Sequence, residues 1–377
     1  MRLYINGRFA TRPMTGVDRV AYELTAQLRQ IATELSEGAL VLTLLLPRCT
    51  SEQLFALSNS TLVEAKSVSK LPGQLWEQFA LPFKTADGWA INFCNVGPII
   101  GRRQILMIHD AQIYICPESY SFCFRLWYRM LQPFIARRAS LLFTVSDYSK
   151  NRLEQERVFP KEKAQVIPNG ADHMDRITAD DSTLARHGLS SQKYFLVMGS
   201  VSKHKNLICA LKAFATCSVE SLRLVVVGGN VSEIMAVFSS SIDERVLLLG
   251  RVSDEELKAL YTHANVFIFP SITEGFGLPP LEAMYCGCPV IASNSGAMSE
   301  VCGDTVRYVD PNRPEDWTLA IEELAFDPKE CEKISAKAHD WAKKFTWRRA
   351  AMQLLQAIAS YEDESSLKVE LKALDAS

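Results

Sequence analysis

Apolar residues along this chain fall into short continuous runs, separated by stretches in which they recur every three or four positions. Runs at residues 3–5, 40–46, 89–93, 105–108 and 141–145, and again at 194–198, 222–227, 246–249, 266–269 and 290–292, have the composition of parallel strands buried on both faces. Helical spacing lies between them: Val20, Leu24 and Leu28; residues 74–83 with Trp76 and Phe79; Leu207, Ala210, Leu211 and Phe214; and, after Phe345-Thr346-Trp347, Ala350, Leu354 and Ile358. Such alternation predicts an α/β fold with right-handed crossovers. The rhythm lapses at 172–192, where Asp, Ser and Thr accumulate. Two doubly wound, Rossmann-like parallel-sheet domains are therefore expected. The first covers 1–171, 172–192 is a linker, and the second covers 193–345. Charges alternate without period after Glu362, so the tail at 362–377 is expected to fray or be disordered.

Composition narrows the class. A chain of 377 residues exceeds one ordinary core, which agrees with two domains. A net charge of −2 supplies no polycationic surface, so nucleic acid is not an expected partner. No apolar stretch reaches the roughly 18 residues of a spanning helix, and the N-terminus reads as a first strand rather than a signal peptide. Ten cysteines are scattered singly, without a paired zinc spacing. Reduced thiols in the cytoplasm and no metal site are the natural expectation.

Candidate chemistry concentrates where residues 266–269 run into Pro270-Ser271 and then into Glu274-Gly275-Phe276-Gly277-Leu278-Pro279-Pro280-Leu281-Glu282. Strand, loop and helix N-terminus succeed one another, with the prolines in the first helical turn. At the carboxyl edge of a parallel sheet that arrangement favours a phosphate, and Gly275 and Gly277 let backbone approach a ligand. Glu274 and Glu282 would repel phosphate unless they face hydroxyls, such as those of a sugar and a ribose; each alone also reads as a loop or solvated helix residue. The basic loop Ser202-Lys203-His204-Lys205 follows Gly199-Ser200 at the end of another strand, and reads either as a diphosphate contact or as solvated charge. Gly16, between strand and helix, admits a diphosphate or marks a turn; Arg19 beside it reads as a structural ion-pair residue. His109-Asp110 stands at the carboxyl edge of the run at 105–108. The stretch 122–138 places Phe122, Leu126, Met130 and Phe134 at helical spacing among Arg125, Arg129, Arg137, Arg138, Trp127 and Tyr128. It reads as an amphipathic helix packed on the sheet or, more sharply, as a basic-aromatic surface for an anionic membrane.

The string Pro-Ser-x-x-Glu-Gly-Phe-Gly-Leu-Pro-Pro-Leu-Glu-Ala-Met, with seven residues between Glu274 and Glu282, resembles the signature of retaining nucleotide-sugar glycosyltransferases of family 4. Those are two-domain enzymes of the GT-B fold, and the resemblance implies domains facing across a cleft, with the last helix, 346–361 here, returning to the first. Agreement runs from Gly16 to Trp347, and bacterial surface-polysaccharide and O-antigen mannosyltransferases are the resembling members. The resemblance implies that Glu274 contacts donor-sugar hydroxyls and Glu282 the nucleotide ribose. It also implies that His109 sits near the anomeric carbon and that Gly16 lines the donor phosphates. Lys205 matches the phosphate-binding lysine; Ser200 and His204 stand where many members carry an arginine, so Lys203 or His204 is left as a second cation. The base is implied to lie against Arg251 and Val252, and the phosphates near Gly275, Phe276, Gly277 and Leu278.

The expectation is then a metal-independent hexosyltransferase without a cofactor, moving a sugar from a nucleotide-sugar donor to a glycan or lipid-linked glycan acceptor. GDP-mannose is the first choice of donor, UDP sugars the next. The enzyme is expected in the cytoplasm, peripheral on the inner face of the membrane. Two rivals differ in class: a GT-B nucleotide-sugar epimerase, and a silent binding subunit that keeps the fold. His109, Lys205, Glu274 and Glu282 all being present argues against the second.

Overall fold

The computed structural model describes residues 1–47, 64–67, 71, 73–101, 103–219, 221–238 and 242–375. These group into two compact units: Met1–Tyr114, Ser121–Gly170 and Thr346–Ser377 form one, and Ile115–Tyr120 with Ala171–Phe345 the other.

The first unit holds seven parallel strands: β1 (Arg2–Asn6), β2 (Val41–Leu46), β3 (Glu64–Ser67), β4 (Trp89–Asn92), β5 (Gln104–Met107), β6 (Leu141–Thr144) and β7 (Ala164–Val166). Their order is β3-β2-β1-β4-β5-β6-β7, so the winding reverses between β1 and β4. Leu3 faces Leu42 on one side and Trp89 on the other, and Ile105 faces Leu141. Leu3, Ile5, Leu44, Ile91, Ile105, Met107 and Phe143 are fully buried, as strands covered on both faces require.

The second unit holds β8 (Tyr194–Met198), β9 (Arg223–Val227), β10 (Val246–Gly250), β11 (Val266–Phe269), β12 (Val290–Ser293) and β13 (Arg307–Val309), all parallel, in the order β10-β9-β8-β11-β12-β13. Winding reverses between β8 and β11, where Phe267 pairs with Leu196. Phe195, Val197, Leu211, Phe214, Val226, Ile268, Ile291 and Trp317 belong to one continuous core in this unit.

Three expectations are corrected. The stretch 172–192 is not a bare linker: Asp172–Arg176 is a 3-10 turn, Ser182–Arg186 a short helix, and Lys258 Nζ fastens the stretch by donating to the carbonyls of Met174 (2.7 Å) and Ile177 (2.8 Å). The tail is ordered too, as far as residue 375. Ser365–Asp375 is a helix that buries Leu367 and Leu371 against the returning helix Trp347–Glu362, which itself packs on Gly16–Glu34. Two leucines four residues apart give one apolar edge, enough to dock a short helix.

The helix Phe122–Arg138 exists, but its faces are reversed relative to packing on the sheet through Phe122, Leu126, Met130 and Phe134. Those four point outward, at 68, 50, 69 and 47% exposure, while Tyr128, Leu131, Gln132, Ile135 and Ala136 turn inward. Tyr128, expected on the surface with Trp127, is buried and stacks on Phe124 at 4.3 Å; Trp127 remains exposed.

Candidate active site

Doubly wound sheets bind ligands outside the carboxyl ends of strands at the reversal of winding. In the second unit that point lies between β8 and β11, and the loops after those two strands are stitched together there. Ile272 N–H donates to the His204 carbonyl (2.8 Å), and Asn206 Nδ2 donates to the carbonyls of Pro270 (3.1 Å) and Pro311 (2.7 Å). Asn206 adopts a left-handed conformation, φ 52°, in turning from the short Lys203–Lys205 turn into the helix Leu207–Ala215. The stitching brings Lys205 Nζ to 2.8 Å from Glu274 Oε1, with the ammonium 5.7 Å from the centre of the Phe269 ring. A cation and a carboxylate 69 residues apart thus form one unit at the mouth of the sheet.

Glu274 is fixed from behind. Its carbonyl accepts from Ala297 N–H (3.1 Å), and Gly296, at φ +67°, approaches so closely that a Cβ would lie 2.6 Å from the Glu274 nitrogen. No side chain fits there without moving the glutamate. Gly277 is constrained likewise: φ is +95°, and a Cβ would meet Met298 at 2.3 Å. It caps the helix Leu278–Tyr285, whose first turn contains Pro279 and Pro280. Those prolines carry no N–H, so an anion here would rely on the N–H groups of residues 275–278 and the helix dipole, not on a full ring of amides. Phe276 is buried edge-on against Phe345 at 6.2 Å, so its ring serves packing and only its backbone remains for a ligand.

Of the candidate cations, His204 is removed. It is buried, burial lowers its pKa, and its Nδ1 pairs with the Ser119 hydroxyl at 3.1 Å. Lys203 is exposed on the same turn; Ser200 Oγ accepts from Ser202 N–H at 3.3 Å. Arg251 and the half-buried Val252 follow Gly250, whose carbonyl accepts from Gly228 N–H at 2.6 Å. Glu282, on the helix after the signature, is buried beside His173 (Nε2 to Oε1, 3.2 Å) and Tyr261 (hydroxyl to Oε2, 3.5 Å). Neither partner is apparent from sequence, because each stands on a different element. Gly296 was missed for the same reason.

In the first unit, Gly16 opens the helix Gly16–Glu34 with nothing within 4 Å of where a Cβ would stand. Its conformation does not demand glycine; the open space in front of the helix is the notable feature. The helix start is held by Asp18, which accepts from Thr15 N–H (3.0 Å), the Thr15 hydroxyl (2.6 Å) and Arg12 Nε (2.8 Å). Arg19 lies 3.7 Å from Glu23 one turn on, in line with a structural ion pair.

His109 follows β5 and is buried. Its Nε2–H donates to the Phe93 carbonyl (2.6 Å) and its backbone N–H to Asn95 Oδ1 (2.8 Å). Burial pushes its pKa down to about 4, opposed by the Phe93 hydrogen bond and by Asp18, so the ring is neutral at pH 7. The neighbouring Asp110 side chain instead accepts from Gln112 N–H (2.9 Å). Beside β1 and β4 the buried Glu77 accepts from Asn6 Nδ2 (2.6 Å) and pairs with Arg8; desolvation raises its pKa against the Arg8 charge.

Two doubly wound parallel sheets give the chain a GT-B fold, with a lysine–glutamate unit at the mouth of the second sheet. The crystal structure of Anabaena HepE in complex with UDP and glucose superposes on 96% of this chain and 100% of its own, with a TM-score of 0.73 and 18% identity. WaaG, a glycosyltransferase involved in lipopolysaccharide biosynthesis, covers 95% and 99% with a TM-score of 0.69 and 15% identity. Residues 181–341 match the family of glycosyl transferases group 1. That match lies within the second unit, and the protein is a hexosyltransferase. O-antigen chain mannosyltransferase B of Escherichia coli is 28% identical over 93% of this chain and 98% of its own length. O-antigen chain mannosyltransferase RfbU of Salmonella typhimurium is 31% identical over 59% of this chain and 61% of its own.

Proposed function

We propose that this protein transfers mannose from GDP-mannose to a glycan or lipid-linked glycan acceptor in surface polysaccharide biosynthesis, with retention of anomeric configuration and without a metal. The observation that carries the reading is the Lys205–Glu274 unit at the β8/β11 reversal, where a cation meets departing phosphate and a carboxylate meets sugar hydroxyls. The choice of mannose and of acceptor class rests on likeness to O-antigen chain mannosyltransferase B over 93% of the chain and to RfbU over 59% of it.

Chemistry at such a site is positioning plus stabilisation of the leaving diphosphate. The anomeric carbon–oxygen bond to the diphosphate breaks while the acceptor oxygen attacks from the same face. The acceptor proton passes to a phosphate oxygen, so no protein nucleophile is needed. Lys205, with backbone N–H groups at 275–278, opposes the growing charge. Glu274 holds the sugar and Glu282 the ribose, while Ser200 and Lys203 border the phosphates and Arg251 and Val252 the base. His109, neutral, offers hydrogen bonding rather than charge.

The enzyme works on the inner face of the cytoplasmic membrane. Among the described residues no helix is long and apolar enough to cross a membrane, whereas Phe122, Leu126, Met130 and Phe134 form an outward apolar stripe flanked by arginines. That combination suits shallow insertion among anionic headgroups.

The test is a panel of GDP-mannose, UDP-glucose, UDP-galactose and dTDP-rhamnose, with and without lipid extract, read as released nucleoside diphosphate. GDP release that rises with extract and survives chelator is expected. Loss of activity with chelator, restored by metal, refutes the metal-free mechanism. Interconversion of sugar nucleotides without transfer would instead mark an epimerase.

A further inference from the structure

Glu282 is gripped by two side chains from separate elements. His173 Nε2 lies 3.2 Å from Oε1, and the Tyr261 hydroxyl donates to Oε2 at 3.5 Å; His173 is 2% exposed and Tyr261 fully buried. A carboxylate only accepts, so the imidazole proton sits on Nε2. The turn carrying His173 is itself anchored. Beyond the lysine contacts already described, Ala171 N–H donates to the Phe345 carbonyl (3.0 Å) and the Tyr285 hydroxyl to Asp175 Oδ2 (2.5 Å). The histidine is therefore a fixed post and not a mobile surface group.

An ionised carboxylate has about four lone-pair directions. His173 and Tyr261 occupy one on each oxygen and leave one on each. A pair of neighbouring hydroxyls can be met by both oxygens at once only if rotation of the carboxylate is stopped. We propose that His173 is a positioning residue for Glu282, holding its plane so that both oxygens receive the 2′- and 3′-hydroxyls of the donor ribose. The inference rests on the assignment of Glu282 to the ribose.

The experiment compares affinity for a nucleoside diphosphate, whichever of GDP and UDP binds the wild type more tightly, with affinity for its 2′,3′-dideoxy analogue. The wild type should prefer the ribose form, and Glu282→Ala should erase that preference. His173→Met, which fills the space without a donor, should lose about tenfold or more of the preference, the scale of a hydrogen bond to a charged group. His173→Gln, which keeps an N–H near the Nε2 position, should retain it. His173→Leu is the second donorless variant should the methionine protein not fold. A general structural role would weaken both ligands equally. Wild-type preference in the donorless variants, or equal loss in Gln and Met, overturns the proposal while leaving Glu282 assigned. If Glu282→Ala keeps the preference, the ribose assignment itself fails and the role of His173 falls with it.

Discussion

Glu274→Gln should separate binding from turnover. In the free protein Lys205 Nζ is 2.8 Å from Glu274 Oε1, with the two side chains 29 and 11% exposed, so the lysine charge is already opposed. A diphosphate has to win the lysine from that carboxylate. A partly exposed ion pair contributes about 1 kcal/mol. A charge-assisted hydrogen bond to phosphate contributes about 1.5–3 kcal/mol. The net gain through Lys205 is then about 0.5–2 kcal/mol, the difference of those ranges. Glutamine keeps the shape and an accepting oxygen but removes the competing charge. Nucleoside diphosphate should bind about fivefold tighter, the equivalent of ~1 kcal/mol. Turnover should fall by about a hundredfold or more, the scale of losing a polar contact that strengthens in the transition state. Lys205→Ala should do the opposite to binding, weakening donor and free diphosphate together. Calorimetric titration with GDP beside initial-rate measurements reads both effects. If Glu274→Gln weakens GDP as much as it lowers turnover, the glutamate is a nucleotide ligand and the assignment to sugar is wrong.

Other outcomes follow from burial. His109 has its pKa pushed from 6.5 to about 4, so the unfolded chain takes up that proton first. Its stabilising effect is full above pH ~6.5 and lost as pH falls towards 4, by about 3 kcal/mol; His204 shifts in the same direction. His109→Gln should flatten this acid limb in melts taken from pH 7 to 4, and an unchanged limb refutes the buried neutral imidazole. Leu371→Ala should destabilise by about 2–5 kcal/mol in chemical denaturation, because the tail helix docks through that side chain; unchanged stability would mean the tail does not pack. Replacing Arg125, Arg129, Arg137 and Arg138 with Gln should abolish sedimentation with anionic vesicles at low salt, since each contributes about 1 kcal/mol. Replacing Phe122 and Phe134 with Ser should weaken it further at high salt. A wild type that ignores the vesicles refutes docking by this helix.

The central strands were legible because burial on both faces writes itself as an unbroken apolar run: the predicted 194–198 and 266–269 coincide with β8 and β11. Edge strands carry that mark unevenly: β10 shows it, as the run at 246–249, and others do not. β3 reads Glu-Ala-Lys-Ser and β13 Arg-Tyr-Val, each paired on one side only, and neither was foreseen. Helical periodicity located 122–138 but is silent on direction, since a stripe at four-residue spacing is equally regular facing core or water. The chemistry of Lys205 and Glu274 could be proposed from composition and resemblance. Their contact depends on β8 lying next to β11 across 69 residues, which the order of strands decides and local pattern does not. The partnership of His173 with Glu282 is hidden in the same way.

Transfer itself is the most direct test. GDP-mannose labelled at the anomeric carbon is incubated with the protein and a lipid-linked glycan extract, and the product linkage is read by NMR. An α-linked mannose on the acceptor, formed with one GDP released per transfer and lost in Glu274→Gln and Lys205→Ala, is the predicted result. A β-linked product, or transfer undiminished in both variants, would contradict the account.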